Sequence, residues 1–107
     1  MARMQHVVLF KFPRALTEEE ERWAADIVGS WPRDIPGFTR LRFGRDVGGR
    51  SGGFDYLLLT EFESEEAMAA YFPHPRHQEF GAWVAQMQAE VVRNDYALDD
   101  ETSLLET

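Results

Sequence analysis

Short blocks of apolar residues recur along the chain, some with a period of two and some with helical spacing, and they predict the elements of one small domain. Residues 4–12 (Met-Gln-His-Val-Val-Leu-Phe-Lys-Phe) combine β-branched and aromatic side chains with no Gly or Pro until Pro13, which predicts a strand. Thr17 stands three positions before Glu20, the spacing of a capping box, and Glu18 and Glu19 add negative charge where a helix dipole is positive. Trp23, Ile27 and Trp31 step by four beside Ala24 and Val28, so a helix is expected to about Trp31. That stripe would face a core, with Glu19, Arg22 and Asp26 in water. The breaks at Trp31-Pro32 and Ile35-Pro36-Gly37 are expected to end the helix.

Residues 38–47 alternate, with Thr39, Leu41, Phe43 and Arg45 on one face and Phe38, Arg40, Arg42 and Gly44 on the other, which predicts a half-buried strand. The glycine-rich link 48–53 and a third strand over residues 54–62 complete a long-looped hairpin. Ser64, Glu65 and Glu66 open a short helix that Pro73 and Pro75 cut off. Helical spacing resumes from about Arg76 through Phe80, Trp83, Val84 and Met87, and residues 91–96 return to strand character. The domain is expected over residues 4–97, with 98–107 as a flexible acidic tail.

The order β-α-β-β-α-β, with its second helical region split, predicts an α+β, ferredoxin-like plan in which helices cover one face of a four-stranded antiparallel sheet. Strands one and three place Val7, Leu9, Leu57 and Leu59 on one face, and His6, Val8, Phe10, Phe12, Tyr56, Leu58 and Phe62 on the other. Both faces are apolar. A second copy docking sheet against sheet would cover the one the helices leave open, so a homodimer is expected.

Composition narrows the function classes. The 107 residues contain no cysteine, which excludes a disulfide framework, a thiolate metal site and a cysteine nucleophile, and suits a reducing cytoplasm. Nineteen acidic against eleven Lys and Arg side chains give a net charge of −8, which argues against nucleic acid as a partner. No apolar run approaches the roughly 20 residues that span a bilayer, so no membrane association is expected.

Four segments carry a resemblance: His6-Val-Val-Leu-Phe-Lys-Phe12, the stretch from Gly53-Phe-Asp-Tyr to Ser64, Tyr71-Phe-Pro-His-Pro-Arg-His-Gln-Glu-Phe-Gly81, and Asn94-Asp-Tyr96. They resemble the stress-responsive A/B barrel, or Dabb, family. The resemblance implies a ferredoxin-like protomer that pairs into a dimeric α/β barrel, with pockets between helices and sheet and no cofactor. It also includes a plant polyketide cyclase that works without a metal. Its acid-base Tyr and His would fall on Tyr71 and His77 and its first-strand pocket histidine on His6. A further pocket histidine would align near Tyr56, where this sequence departs from it.

The residues themselves allow the same chemistry. An imidazole at His77 can take a proton from a carbon between two carbonyls while the Tyr71 hydroxyl bonds the enolate oxygen. Equally, His74 and His77 can cap helix ends or bond backbone carbonyls at the proline kink. His6, Phe10, Tyr56, Phe80 and Trp83 are the candidate ligand-binding residues, an apolar set with one polar anchor. No metal is expected, since Pro75 separates the two histidines and no third ligand follows at metal spacing. The loop 48–53 reads as a mobile connection or pocket lid. Three functions stay open: a binder of a small apolar or aromatic molecule, a cofactor-free cyclase-like enzyme, and a structural protein that binds nothing.

Overall fold

The computed structural model describes residues 2–105. Met1, and the Glu106 and Thr107 of the expected acidic tail, lie outside the described residues. Seven elements follow in order: β1 (Arg3–Lys11), α1 (Glu18–Asp34), β2 (Phe38–Arg45), β3 (Tyr56–Phe62), α2 (Glu65–Tyr71), α3 (Pro75–Gln86) and β4 (Glu90–Leu98). All pairings are antiparallel and the sheet order is β2-β3-β1-β4, which is the expected ferredoxin-like fold.

Helix α1 starts as its sequence dictates. The Thr17 hydroxyl accepts from the Glu20 N–H at 3.1 Å, and Glu20 accepts in return from the Thr17 N–H at 2.9 Å. Arg14 clamps the Glu20 carboxylate with two bonds of 2.8 Å, and this guanidinium, with the Thr17 N–H, holds Glu20 down at about 2. The other end differs from expectation. The helix runs through Pro32 to Asp34, because a proline in the last turn removes only one backbone bond and its ring faces solvent. The Ile35 N–H then closes the helix on the Trp31 carbonyl at 2.8 Å.

The buried stripe of α1 is Ala24, Val28 and Trp31, continued by Ile35. Trp23, expected in the core, is 40% exposed and leans on Trp83, and Ile27 is half-buried. The small Ala24 lets the helix approach the sheet closely, which a Trp at the centre of the contact would prevent. Trp31 is fully buried and its ring meets Phe38, Tyr71 and Phe80 at 5.4–6.4 Å between centroids.

Strand β2 corrects a third expectation. Strict alternation puts Phe38 with Arg40 and Arg42, but the register shifts between Phe38 and Arg40, with Phe38 opposite Phe62 and Arg40 opposite Glu61. This bulge turns Phe38 onto the helix face beside Leu41 and Phe43. The strand ends at Arg45, and β3 begins at Tyr56, so residues 46–55 form the loop and Val47 is exposed. Gly37 precedes the bulge at φ +100°, and a Cβ there would stand 2.7 Å from that of Ala67, so only glycine lets the chain pass under α2.

His6, Val8, Phe10, Tyr56, Leu58, Thr60 and Phe62 face the helices and are buried, which matches the expected division of the strands. On the outer face Val7, Leu9 and Leu59 are half-buried, and Leu57 and Val92 are exposed. One end of that face is polar. Glu61 is 5% exposed, bonded by the Thr39 hydroxyl and Gln5, with Arg40 and Arg3 guanidinium groups 3.8 and 3.9 Å away.

Candidate functional site

The two prolines that interrupt the second helical region create the site. Ser64 caps α2 by accepting from the Ala67 N–H at 3.1 Å, and α2 ends at Tyr71 with its ring in the core. Pro75 occupies the first turn of α3, and His74 caps that helix, its Nδ1 accepting from the Arg76 N–H at 3.1 Å. His74 is thus a structural cap, one of the roles its position allowed. One turn on, His77 donates its Nδ1–H to the Phe72 carbonyl at 2.9 Å, and Gln78 Nε2 donates to the same oxygen at 2.8 Å. A carbonyl only accepts, so the proton sits on Nδ1 and the Nε2 lone pair of His77 is left available.

Between these helices and the sheet lies a cavity of about 110 Å³. Val8, Phe10, Leu58, Phe80, Val84 and Val91 supply an apolar lining, and His6, Tyr71 and His77 bring polar groups to it. The rings of Tyr71 and His77 are 4.2 Å apart, and His6 stands 6.1 Å from Tyr71. His6 is 3% exposed and donates its Nδ1–H to Asp95, directly opposite on β4. The carboxylate fixes the tautomer, as second partners of functional histidines commonly do.

The Tyr71 side chain is fully buried and its hydroxyl has no hydrogen-bond partner among the described residues. Burial pushes its phenol far above the usual tyrosine range, so it is a neutral donor. His77 moves the other way. Burial lowers it below 6.5, the Phe72 carbonyl offsets part of that, and the charges of His6 and Arg93 lower it further. The cavity wall therefore sets a neutral phenol and a neutral imidazole side by side, an acceptor-seeking and a proton-seeking side chain.

The structure brings His6, Phe10, Tyr71, His77 and Phe80 together around this space. Tyr56 and Trp83 stand outside it. Tyr56 faces the helices further along β3, where its hydroxyl donates to Glu21, and burial together with that carboxylate raises it to about 12. Trp83 packs between Phe12 and Trp23 at the surface. Nor does the glycine-rich loop 48–53 border the cavity. Asp95 and Arg93 were not among the expected site residues, although both lie on the helix-facing side of β4, opposite His6 and Val8. Their signal was the period-two series Val91, Arg93, Asp95. Among the described residues no group of three or more His, Asp or Glu side chains is placed to hold a metal ion. No helix is long and apolar enough to cross a membrane.

A model of the stress responsive A/B barrel domain matches residues 4–98. The chain belongs to the Dabb family. Among solved structures, this Dabb chain is similar to a dimeric ferredoxin-like protein of unknown function from Thermobifida fusca, at 27% identity and TM-score 0.78 over 91% of this chain and 92% of that one. A hypothetical Arabidopsis thaliana protein matches at 25% identity and TM-score 0.80, covering 97% and 94%. A hydroxynitrile lyase from Passiflora edulis shares the fold at 18% identity and TM-score 0.80, covering 92% and 95%. No curated protein matches the sequence.

Two outcomes follow from the state of these side chains. Tyr71→Phe removes a buried donor that bonds nothing, so it should leave the Dabb domain unchanged or more stable by about 1 kcal/mol in a urea transition; a clear loss would mean the hydroxyl is bonded. For His77, the unfolded chain takes up a proton near 6.5 and the folded chain only at lower pH. Stability should therefore be full above 6.5 and fall as pH drops below it, and His77→Gln should flatten that fall. Proton NMR should place the His77 midpoint below 6.5.

Proposed function

We propose that this Dabb chain is a homodimer, suited to the cytoplasm, that binds a compact, largely apolar molecule bearing a carbonyl group. The Tyr71 hydroxyl, unpartnered among the described residues in the wall of a largely apolar cavity, carries this reading. A buried donor left unsatisfied costs roughly 1 to 3 kcal/mol, and a guest carbonyl oxygen recovers that energy. Apolar side chains then select the remainder of the guest. Size decides between the guests considered. A dry cavity of about 150 Å³ accommodates benzene, so a space of about 110 Å³ encloses less than a benzene ring and suits a short branched chain whose remainder stays at the mouth better than a long polyketide.

The same placement supports a second reading, cofactor-free proton transfer. His77 Nε2 would take a proton from the carbon beside the carbonyl, and the resulting enolate oxygen would be held by the Tyr71 O–H. Return of the proton from His77 to carbon closes the cycle with no other reactant. His6, oriented by Asp95, adds a further polar contact at the wall. The hydroxynitrile lyase on this fold accords with chemistry at such a site.

The probe is 4-methylpentan-2-one. Titration calorimetry should show it binding the parent protein, and Tyr71→Phe should weaken that binding about tenfold while the fold persists; equal affinities would remove the carbonyl assignment. For turnover, deuterium exchange at carbon 3 in heavy water should be faster with the parent than with His77→Ala. Identical rates would leave a binding protein only.

The homodimer reading rests on the outer strip of Val7, Leu9, Leu57, Leu59 and Val92, and on the dimeric state described for the Thermobifida fusca protein. Sedimentation at micromolar concentration should give twice the chain mass, and Leu57→Lys should give the single mass. A parent that sediments as a monomer would contradict this part.

A further inference from the structure

The cavity rim contains one charge that no carboxylate among the described residues pairs with. Arg93 lines the cavity with Phe72 and Gly81, yet its side chain is exposed and, among the described residues, forms no ion pair. It sits on the helix-facing side of β4, opposite Val8 and between Val91 and Asp95. Its charge reaches into the site, since it contributes to the lowering of His77. The chain carries a net charge of −8; Arg3, Arg14, Arg40, Arg45 and Arg76 have carboxylate partners, Arg22, Arg33, Arg42 and Arg50 form no ion pair among the described residues and lie away from the cavity, and Arg93 is the unpaired arginine at its rim. The one carboxylate on the same face of β4 near Arg93, Asp95, is engaged by His6. A guanidinium left free at the edge of an apolar cavity is a fork shaped for a guest carboxylate.

We propose that the guest is a compact aliphatic oxo acid, whose carbonyl meets Tyr71 inside the cavity while its carboxylate pairs with Arg93 at the rim. This rests on the carbonyl-binding reading above and adds the substrate class. A single guanidinium matches one negative charge, and the nearby Asp95 together with the acidic chain disfavours a dianion such as a phosphate ester. The carboxylate stays at the rim, so the enclosed volume needs to hold only the branched chain and the carbonyl.

Two probes of the same skeleton separate this from the parent reading: 4-methyl-2-oxopentanoate and 4-methylpentan-2-one, which differ in a carboxylate replacing a methyl group. The parent protein should bind the oxo acid at least tenfold more tightly than the ketone. That preference should persist at pH 8.5, well above the range in which the burial-lowered His77 takes up a proton, and should shrink as salt is raised. Arg93→Met should bring the oxo acid and ketone affinities to within about twofold of each other, and Arg93→Lys should keep part of the preference. Circular dichroism and the ketone titration together show that each variant is folded with its cavity intact.

If the ketone binds and the oxo acid binds no better, or if Arg93→Met retains the preference, the carboxylate assignment is overturned while the carbonyl reading stands. Arg93 would then serve as an inward charge that blocks strand addition at the β4 edge. If neither probe binds, both readings fall together.

Discussion

The hydrogen bond from His77 to the Phe72 carbonyl is the constraint around which the helical layer is arranged. Pro73 and Pro75 forbid a continuous helix between Tyr71 and Arg76, so the Phe72 carbonyl lacks the backbone donor of a continuing helix and takes side-chain donors, His77 and Gln78, instead. His77 reaches back to it, which ties the start of α3 to the end of α2. The same bond places the Tyr71 and His77 rings side by side and settles which imidazole nitrogen is free. A structural role for His77 and a chemical one are therefore the same arrangement seen from two sides. The helix needs Nδ1, and Nε2 remains for a guest.

The sheet supplies the opposite wall by simple alternation. His6, Val8 and Phe10 on β1 and Leu58 on β3 all point toward the helices, and β4 contributes Val91, Arg93 and Asp95 from the edge. A full helix over that edge would fill the space. The proline break instead splits the layer into a seven-residue and a twelve-residue piece, and the cavity lies beneath their junction. The outer side of the sheet is divided differently. An aliphatic strip occupies its middle, and the Glu61 cluster with Arg3 and Arg40 gives one end a fixed polarity.

Most of the architecture was legible in the sequence because period-two and helical spacings are strong in β1, β3 and α3. Three misreadings have local causes. Pro32 did not stop α1, since it falls where one missing bond is tolerated. Trp23 and Ile27 share a spacing with Trp31, but hydropathy alone does not say which side of a broad apolar stripe meets the sheet, and close approach selected Ala24 and Val28. Phe38 changed faces through a bulge, which no alternation rule contains. At the site, Tyr71 and His77 were visible because the Pro-bounded motif is local. Asp95 and Arg93 were not, because their place beside His6 and Val8 depends on the register of strands some ninety residues apart in sequence.

Trp31 gives this arrangement an optical handle. Its indole is wholly buried, donates to the Arg76 carbonyl at 3.2 Å, and lies 5.8 Å from His77 and 5.4 Å from Tyr71 between ring centroids. Trp23 and Trp83 stand nearer water, so their emission falls to the red of that from Trp31. An imidazolium beside an indole quenches its fluorescence, whereas a neutral imidazole does so only weakly. The blue edge of the intrinsic emission thus reports the protonation of one histidine and the arrival of any molecule beside it, without a label.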